Sequence, residues 1–404
     1  MAPIPSPASA GSHGAAALGA DFDPFTPDVI RDPQHYDGLI REAAPVVYFP
    51  KYDIWATGRH AQIEQMMRDW RTFSSTEPAF GEPGQRNILL NEDPPEQQRA
   101  RSVISKGLSN SVLRQMRDSF EQEADRLVRQ LLDGPEVVDG HADLAKAYVL
   151  KVFPDALGLG DQNREMLVRF GHAQFNAFGP RNEIYHESMA AAAEVFEWVA
   201  VNCRRDAVAP GGISMMMYEA ADAGAITHEE AEMLVRTLYS AGSDTTIFAI
   251  GNTLRALADF PDQYQRLRFN PGEYATPAFE EGIRYDNPAR FTRRRATTDV
   301  DVDGVALPEN AKILLMHMPG GRDPRRWENP ERYDITRDVV GRHLGLGVGV
   351  HACAGARVTR LEGVSLLSAI ARHVASIELA GEPEMTANMA VHGHESLPLR
   401  LVPA

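Results

Sequence analysis

The 404-residue sequence predicts a mainly α protein, one large helical domain with small peripheral β-sheets. Three observations carry this expectation. Apolar residues recur at spacings of three and four through long stretches, the signature of amphipathic helices. Strand-like segments are short and few. Neither a repeat of roughly 20–50 residues nor a linker divides the chain.

Taken in order, the opening "MAPIPSPASAGSHGAAALGA" is rich in Ala, Pro, Ser and Gly and holds no Lys or Arg. It lacks the basic start and longer apolar core of a secretion signal, so residues 1–22 are expected to form a disordered tail and 23–404 the domain. "VVYF" and "YDIWAT" read as early strands. In "SNSVLRQMRDSFEQEADRLVRQLL" (109–132), Val112, Met116, Phe120, Ala124, Leu127 and Leu131 form one helical stripe. "THEEAEMLVRTLYSAGSDTTIFAIGNTLRALADF" (227–260) reads as one long helix, interrupted by polar Ser243, Asp244, Thr245 and Thr246, whose hydroxyls can bond carbonyls four back and bend or widen it. Thr227 and Glu230 stand in capping-box spacing, and Pro261 follows its end. "VDVDGVALPENAKILLMH" then reads as strand, turn and strand, with Asp303-Gly304 at the turn.

Composition narrows the function classes. A net charge of −15 argues against a general nucleic-acid binder. No run approaches the roughly 18 apolar residues of a membrane span. Two cysteines, Cys203 and Cys353, cannot build a disulfide framework and suit a reducing cytoplasm.

Cys353 lies in "LGLGVGVHACAG" (344–355), among glycines that let backbone approach backbone or ligand closely. Gly347, Gly349 and Ala352 fit a dinucleotide fingerprint. That motif requires a βαβ unit and an acidic residue about 20 positions on, where His373 and Val374 stand. A zinc site needs further ligands at finger spacing, and none are present. A haem iron needs one thiolate, and the helical run after Cys353 would favour the thiolate form. An inert core cysteine also fits the stretch by itself.

The stretch resembles the cysteine-ligand loop of cytochromes P450, F-G-x-G-x-H-x-C-x-G, at Gly347, Gly349, His351, Cys353 and Gly355; Leu346 stands where the family has Phe. Four further motifs occur in family order: "DPPEQQRAR" (93–101), "AGSDTT" (241–246), "EGIR" (281–284) and "NPERYD" (329–334). The resemblance implies a P450 fold and haem b (iron protoporphyrin IX) with Cys353 as axial ligand. O2 is the implied co-substrate. Electrons would come from NAD(P)H through a ferredoxin and its reductase, or a fused Fe–S flavoprotein reductase. It also implies that Gln97, Arg101, Arg294 and His351 contact the haem, with Gly347, Gly349, Gly355, Ala241 and Gly242 lying against it. Gln97 replaces a family histidine, so its contact is expected to be weak. Glu281, Arg284 and Arg332 would form a network supporting the loop, and Asp244 and Thr245 an acid–alcohol pair that handles protons. A solvated surface is expected for Arg293, Arg295, Arg325 and Arg326.

"VFPDALGLG", "FNAFGPRNE", "VAPGG" and "DPRRWENPERYDITR" are similar to the bacterial para-methoxybenzoate O-demethylase branch. That similarity implies that Phe175 and Phe178 flank an aromatic ring, with Leu90 and Ala241 beside it. The branch's carboxylate-gripping positions fall here on Gly84, Asn87, Arg236 and Thr237, with Arg86 nearby but off register. Thr292, beside Ala289, replaces a branch phenylalanine, which implies a roomier pocket. The expected activity is O-demethylation of a para-methoxybenzoate-like acid or a guaiacol-like alkyl-methoxyphenol. Hydroxylation of another small aromatic or terpenoid, or a non-catalytic haem sensor on the same fold, are the alternatives. A cytoplasmic monomer without nucleic-acid or membrane partners is expected.

Overall fold

The amphipathic stripe of 109–132 folds as the helix Asn110–Leu132, whose Phe120, Ala124 and Leu127 are buried. It packs along Ala356–His373, the helix that follows the cysteine loop. Arg372 and His373 of that helix both reach Asp125, at 2.9 Å each. The architecture is drawn from a computed structural model that describes residues 22–77, 80, 87–160 and 163–404. Of the expected tail, only Phe22 falls within these residues. Its ring is stacked on Phe49 with centroids 5.8 Å apart, so Phe22 belongs to the packed structure.

The segment 227–260 forms two helices, His228–Ala241 and Asp244–Asp259, where one was expected. The capping box is present: Thr227 Oγ1 accepts the Glu230 N–H at 3.1 Å, and Glu230 Oε2 accepts the Thr227 N–H at 2.9 Å. The interruption falls at Gly242 and Ser243, where Ser243 has φ −89° and ψ −68°. Its cause is local chemistry. The Thr245 hydroxyl donates to the Ala241 carbonyl at 2.8 Å, and a side chain competing for a helix carbonyl bends the ladder. Gly242 fits there because a Cβ would collide with the Phe153 ring.

The main sheet runs in the order Val47–Phe49, Ile54–Thr57, Lys312–Met316, Phe291–Ala296, Phe73–Ser74. Ile54–Thr57 pairs in parallel with Lys312–Met316, and the other pairings are antiparallel. Asp303 and Gly304 turn the Val300–Val302/Val305–Leu307 hairpin with φ of 51° and 85°. Three buried apolar clusters result. The largest lies among the helices, and the two smaller ones flank the main sheet. The cysteine loop leads into Ala356–His373, which packs on the helix Pro271–Tyr285.

Candidate active site

Backbone geometry shapes the loop around Cys353. Gly347 and Gly349 take φ of 67° and 73°, the left-handed region that glycine enters without penalty. A Cβ on Gly349 would stand 2.7 Å from the Met67 carbonyl, so the loop rests directly on the preceding chain. The Cys353 N–H donates to the Leu346 carbonyl at 2.7 Å, closing the turn. Protein surrounds Cys353, yet the residue keeps accessible surface, which opens on an internal cavity. Burial pushes its thiol up, while the N–H groups of Gly355 and Ala356 and the guanidinium groups of Arg101 and Arg360 pull it down. A cationic iron beside the sulfur would favour the thiolate decisively.

Two sets of contacts hold this loop from outside. Gln97 donates to the Val350 carbonyl at 2.8 Å, and Arg101 donates to the carbonyl of Ala352 and, at 3.5 Å, to that of Cys353. From the other side, Glu280 accepts from Arg360 at 2.5 Å and bonds His343 at 2.9 Å, while His343 Nδ1 accepts the Gly345 N–H at 3.1 Å. The sequence motif drew attention to Glu281, not to its neighbour. Consecutive helical residues point about 100° apart, so both acids are used, each toward a different partner.

Glu281 and Arg284 form a fully buried ion pair at 2.7 Å. Arg284 also donates to the carbonyls of Gly321 (2.8 Å), Pro330 (2.9 Å) and Arg332 (3.1 Å). The expected role of Arg332 is thus corrected: its main-chain carbonyl joins the network, but its half-exposed side chain pairs with Asp262 at 2.8 Å. The guanidinium that reaches Glu281 belongs to Arg337, at 3.2 Å. The turn through 329–334 leaves Arg332 outside and brings Arg337 back over the acid.

A cavity of about 310 Å³ connects the cysteine loop with the helix break and the main sheet. Cys353, Gly347, Gly355, Arg101, Arg294 and His351 line it at the loop end. Ala241, Gly242 and Thr245 come from the break, and Phe175, Phe178, Leu90, Thr237, Ala289 and Thr292 complete the wall. Five expected site residues do not line it. Gln97 and Gly349 are engaged within the loop support. Asn87 and Arg236 face an adjoining chamber of about 980 Å³, which Leu90, Thr237, Phe175 and Phe178 also border. Asp244 is turned away: its Oδ2 lies where a Cβ of Gly171 would be 2.7 Å distant. Arg86 lies outside the described residues.

Asp244 is 1 % exposed, and neither carboxyl oxygen has a partner among the described residues. Burial raises its pKa well above the ordinary 3.8, favouring the protonated form. Arg294 is also buried, with its Nε unpartnered, and burial lowers it to about 10 while Asp93 pulls the other way. Asp93 lies 3.4 Å from His351 Nε2. Among the lining residues not expected from the sequence are two basic ones, Arg293 and His317. Burial and the charge of Arg294 hold His317 near 3, hence neutral. Arg293 was expected in solvent; with Thr292 and Arg294 assigned to the pocket, the strand's period of two puts Arg293 on the other face, so local spacing carried no signal for its place on the wall.

These features fit a haem: a thiol open to the cavity, glycines allowing a flat group to approach, and cationic donors, one with an orphaned buried N–H, for propionates. They define a haem-thiolate monooxygenase. A family model described as Cytochrome P450 matches residues 272–380. Cytochrome p450 CYP199A2 of Rhodopseudomonas palustris is 41% identical over 414 residues, spanning 100% of this chain and 98% of that protein. The crystal structure of CalO2 superposes with TM-score 0.81 at 26% identity, covering 95% of this chain and 99% of that one. Epothilone D-bound P450epoK gives 0.84 at 24% identity, covering 96% and 100%, a likeness of fold. The chain belongs to the cytochrome P450 family. Its cofactor is therefore haem, its co-substrate O2, and its electrons derive from NAD(P)H through partner proteins. No described helix is long and apolar enough to cross a membrane.

Proposed function

We propose that this P450 oxidatively O-demethylates a small methoxylated aromatic, releasing a phenol and formaldehyde. The observation that carries this reading is the Phe175–Phe178 pair on the wall of the Cys353 cavity. The rings meet edge to face, 5.6 Å between centroids at 77°. Such a pair offers a planar ring both a face and an edge, an arrangement worth about 0.5–1.5 kcal/mol beyond buried area.

When bound, the haem supplies dioxygen activation and the oxidising power to hydroxylate a C–H bond. The chain's residues provide the rest. Cys353 would supply a thiolate ligand to the iron, and Arg101, Arg294 and His351 would hold the propionates. The Thr245 hydroxyl holds a proton at the cavity wall, where its oxygen stays fixed by the bond to Ala241. Asp244, one residue away and shifted by burial toward its protonated form, is a proton reserve behind that wall. A methyl ether hydroxylated on its methyl carbon is a hemiacetal, which collapses to the phenol and formaldehyde.

Electrons enter through a ferredoxin docking near the cysteine loop, where Arg357, two residues after Gly355, is exposed and suits an acidic partner. The reading is tested by supplying reductant, a ferredoxin system and 4-methoxybenzoate or a 4-alkyl-2-methoxyphenol to carbon-monoxide-competent holoprotein. Formaldehyde and the matching phenol in equal amounts are expected; ring hydroxylation without formaldehyde would overturn it.

A further inference from the structure

We propose that Arg293 is the anchor for an anionic substrate group, so that the cavity selects aromatic acids over their neutral counterparts. This inference rests on the reading that the cavity receives a methoxylated aromatic ring.

Arg293 and Arg294 are adjacent on the strand Phe291–Ala296, so their side chains leave it in opposite directions. Both reach the cavity, at different ends. Arg294 is drawn toward Asp93 and donates to the Arg293 carbonyl at 2.7 Å. Arg293 lies instead against Phe178, its guanidinium carbon 4.1 Å from the ring centroid. A ring satisfies only the face of a guanidinium; the N–H donors around its edge still require acceptors. Among the described residues Arg293 has no hydrogen bond or ion pair. No described Asp or Glu lines this cavity; Arg293 also borders the adjoining chamber, where Asp206, Glu229 and Glu232 stand, but Glu232 is bonded to Arg236 and none of the three bonds Arg293.

The neighbouring polar groups do not compete for this role. Arg236 is bonded to Glu232 at 2.5 Å and to Cys203 Sγ at 3.4 Å. Asn87 donates to Thr237 Oγ1 at 2.9 Å, and that hydroxyl donates to the Met233 carbonyl at 2.8 Å. Burial brings Arg293 down only to about 10, so it remains a cation at neutral pH. A half-buried cation stacked on an aromatic wall, with its edge free, matches a carboxylate bidentately. Because the guanidinium already lies on Phe178, an aryl carboxylate held there places its ring beside the Phe175–Phe178 pair.

The test is a spin-state titration of holoprotein with 4-methoxybenzoate and its neutral isostere 4-methoxybenzamide, for the wild type, Arg293→Gln and Arg293→Lys. Haem content and formaldehyde release are measured on the same samples. The wild type should bind the acid about tenfold or more tighter than the amide. Arg293→Gln should weaken the acid by at least that factor and the amide by less than about twofold, with unchanged haem content. Arg293→Lys should recover part of the loss. Equal weakening of acid and amide, or no acid preference in the wild type, overturns the anchor. So does haem loss in Arg293→Gln, which would assign the guanidinium to a propionate. Arg293-dependent acid binding without formaldehyde upholds the anchor and removes the O-demethylation reading. Formaldehyde from acid and amide alike, with equal affinities, removes the anchor alone.

Discussion

Asp244 ionises far above the ordinary carboxyl range because burial leaves it no partner. In the unfolded chain the same group loses its proton near 3.8, so stability falls as pH rises above that value. Asp244→Asn removes the ionisation while keeping the shape. Its denaturant midpoint should exceed the wild type's at pH 8, and the difference should shrink toward pH 4; a constant difference would implicate packing instead. Thr245, one position on, does line the cavity. Thr245→Ala should leave the haem spectra intact but divert reducing equivalents to hydrogen peroxide. If product formed per NAD(P)H were unchanged, Thr245 would not hold the proton-handling role. Leu346 supplies both a cavity wall and the carbonyl that accepts the Cys353 N–H. Groups around a ligating sulfur tune its metal, so Leu346→Phe should shift the reduction potential in a direct titration. Identical potentials would dismiss that influence.

At the scale of elements, the broken helix places the chemistry. The Glu165–Asn176 helix, which carries Phe175, must approach that break closely. Gly171 permits it: a Cβ there would stand 2.7 Å from Asp244 Oδ2 and 2.9 Å from the Ser240 carbonyl. Gly171→Ala should therefore cost about 1–3 kcal/mol in chemical denaturation, as overpacking does, and disturb aromatic ligand binding with it. Wild-type stability would show that the two helices separate freely. Of these features, the capping box and the stop before Pro261 were legible in the sequence. The bend was legible as hydroxyls able to bond carbonyls four back, as Thr245 does to Ala241; that the helix parts into two at Gly242 and Ser243 was not.

For the molecule as a whole, Glu280 ties three separated segments together: its own helix, the His343 approach to the cysteine loop, and Arg360 beyond it. Burial opposes its ionisation, but the hydrogen bonds of His343 and Arg360 outweigh that cost and lower it from an ordinary 4.5 to about 2. A depressed carboxylate contributes stability that is present above its unfolded value and lost as pH falls through its folded one. The loss should run from 4.5 down to about 2. At about 1.4 kcal/mol for each pH unit, it amounts to something on the order of 3 kcal/mol. Glu280→Gln should lower neutral-pH stability by about that amount and flatten the acid limb of the urea-midpoint profile. An unaltered acid limb would place the titration elsewhere.

By itself the sequence determined the mainly helical fold class, while the role of the cysteine loop and the Glu281–Arg284 pair came from the order of motifs that resembles the P450 family. Helical periodicity and short motifs are local properties, written over a few consecutive residues. Only the tertiary structure decided which side chains meet. It turned Asp244 away from the cavity and put Arg337 in the place expected of Arg332. It also brought Glu280 to the loop and aimed Arg293 into the pocket instead of solvent. Those outcomes depend on where a second segment, often a hundred or more residues distant, happens to pack, and no local spacing encodes that position.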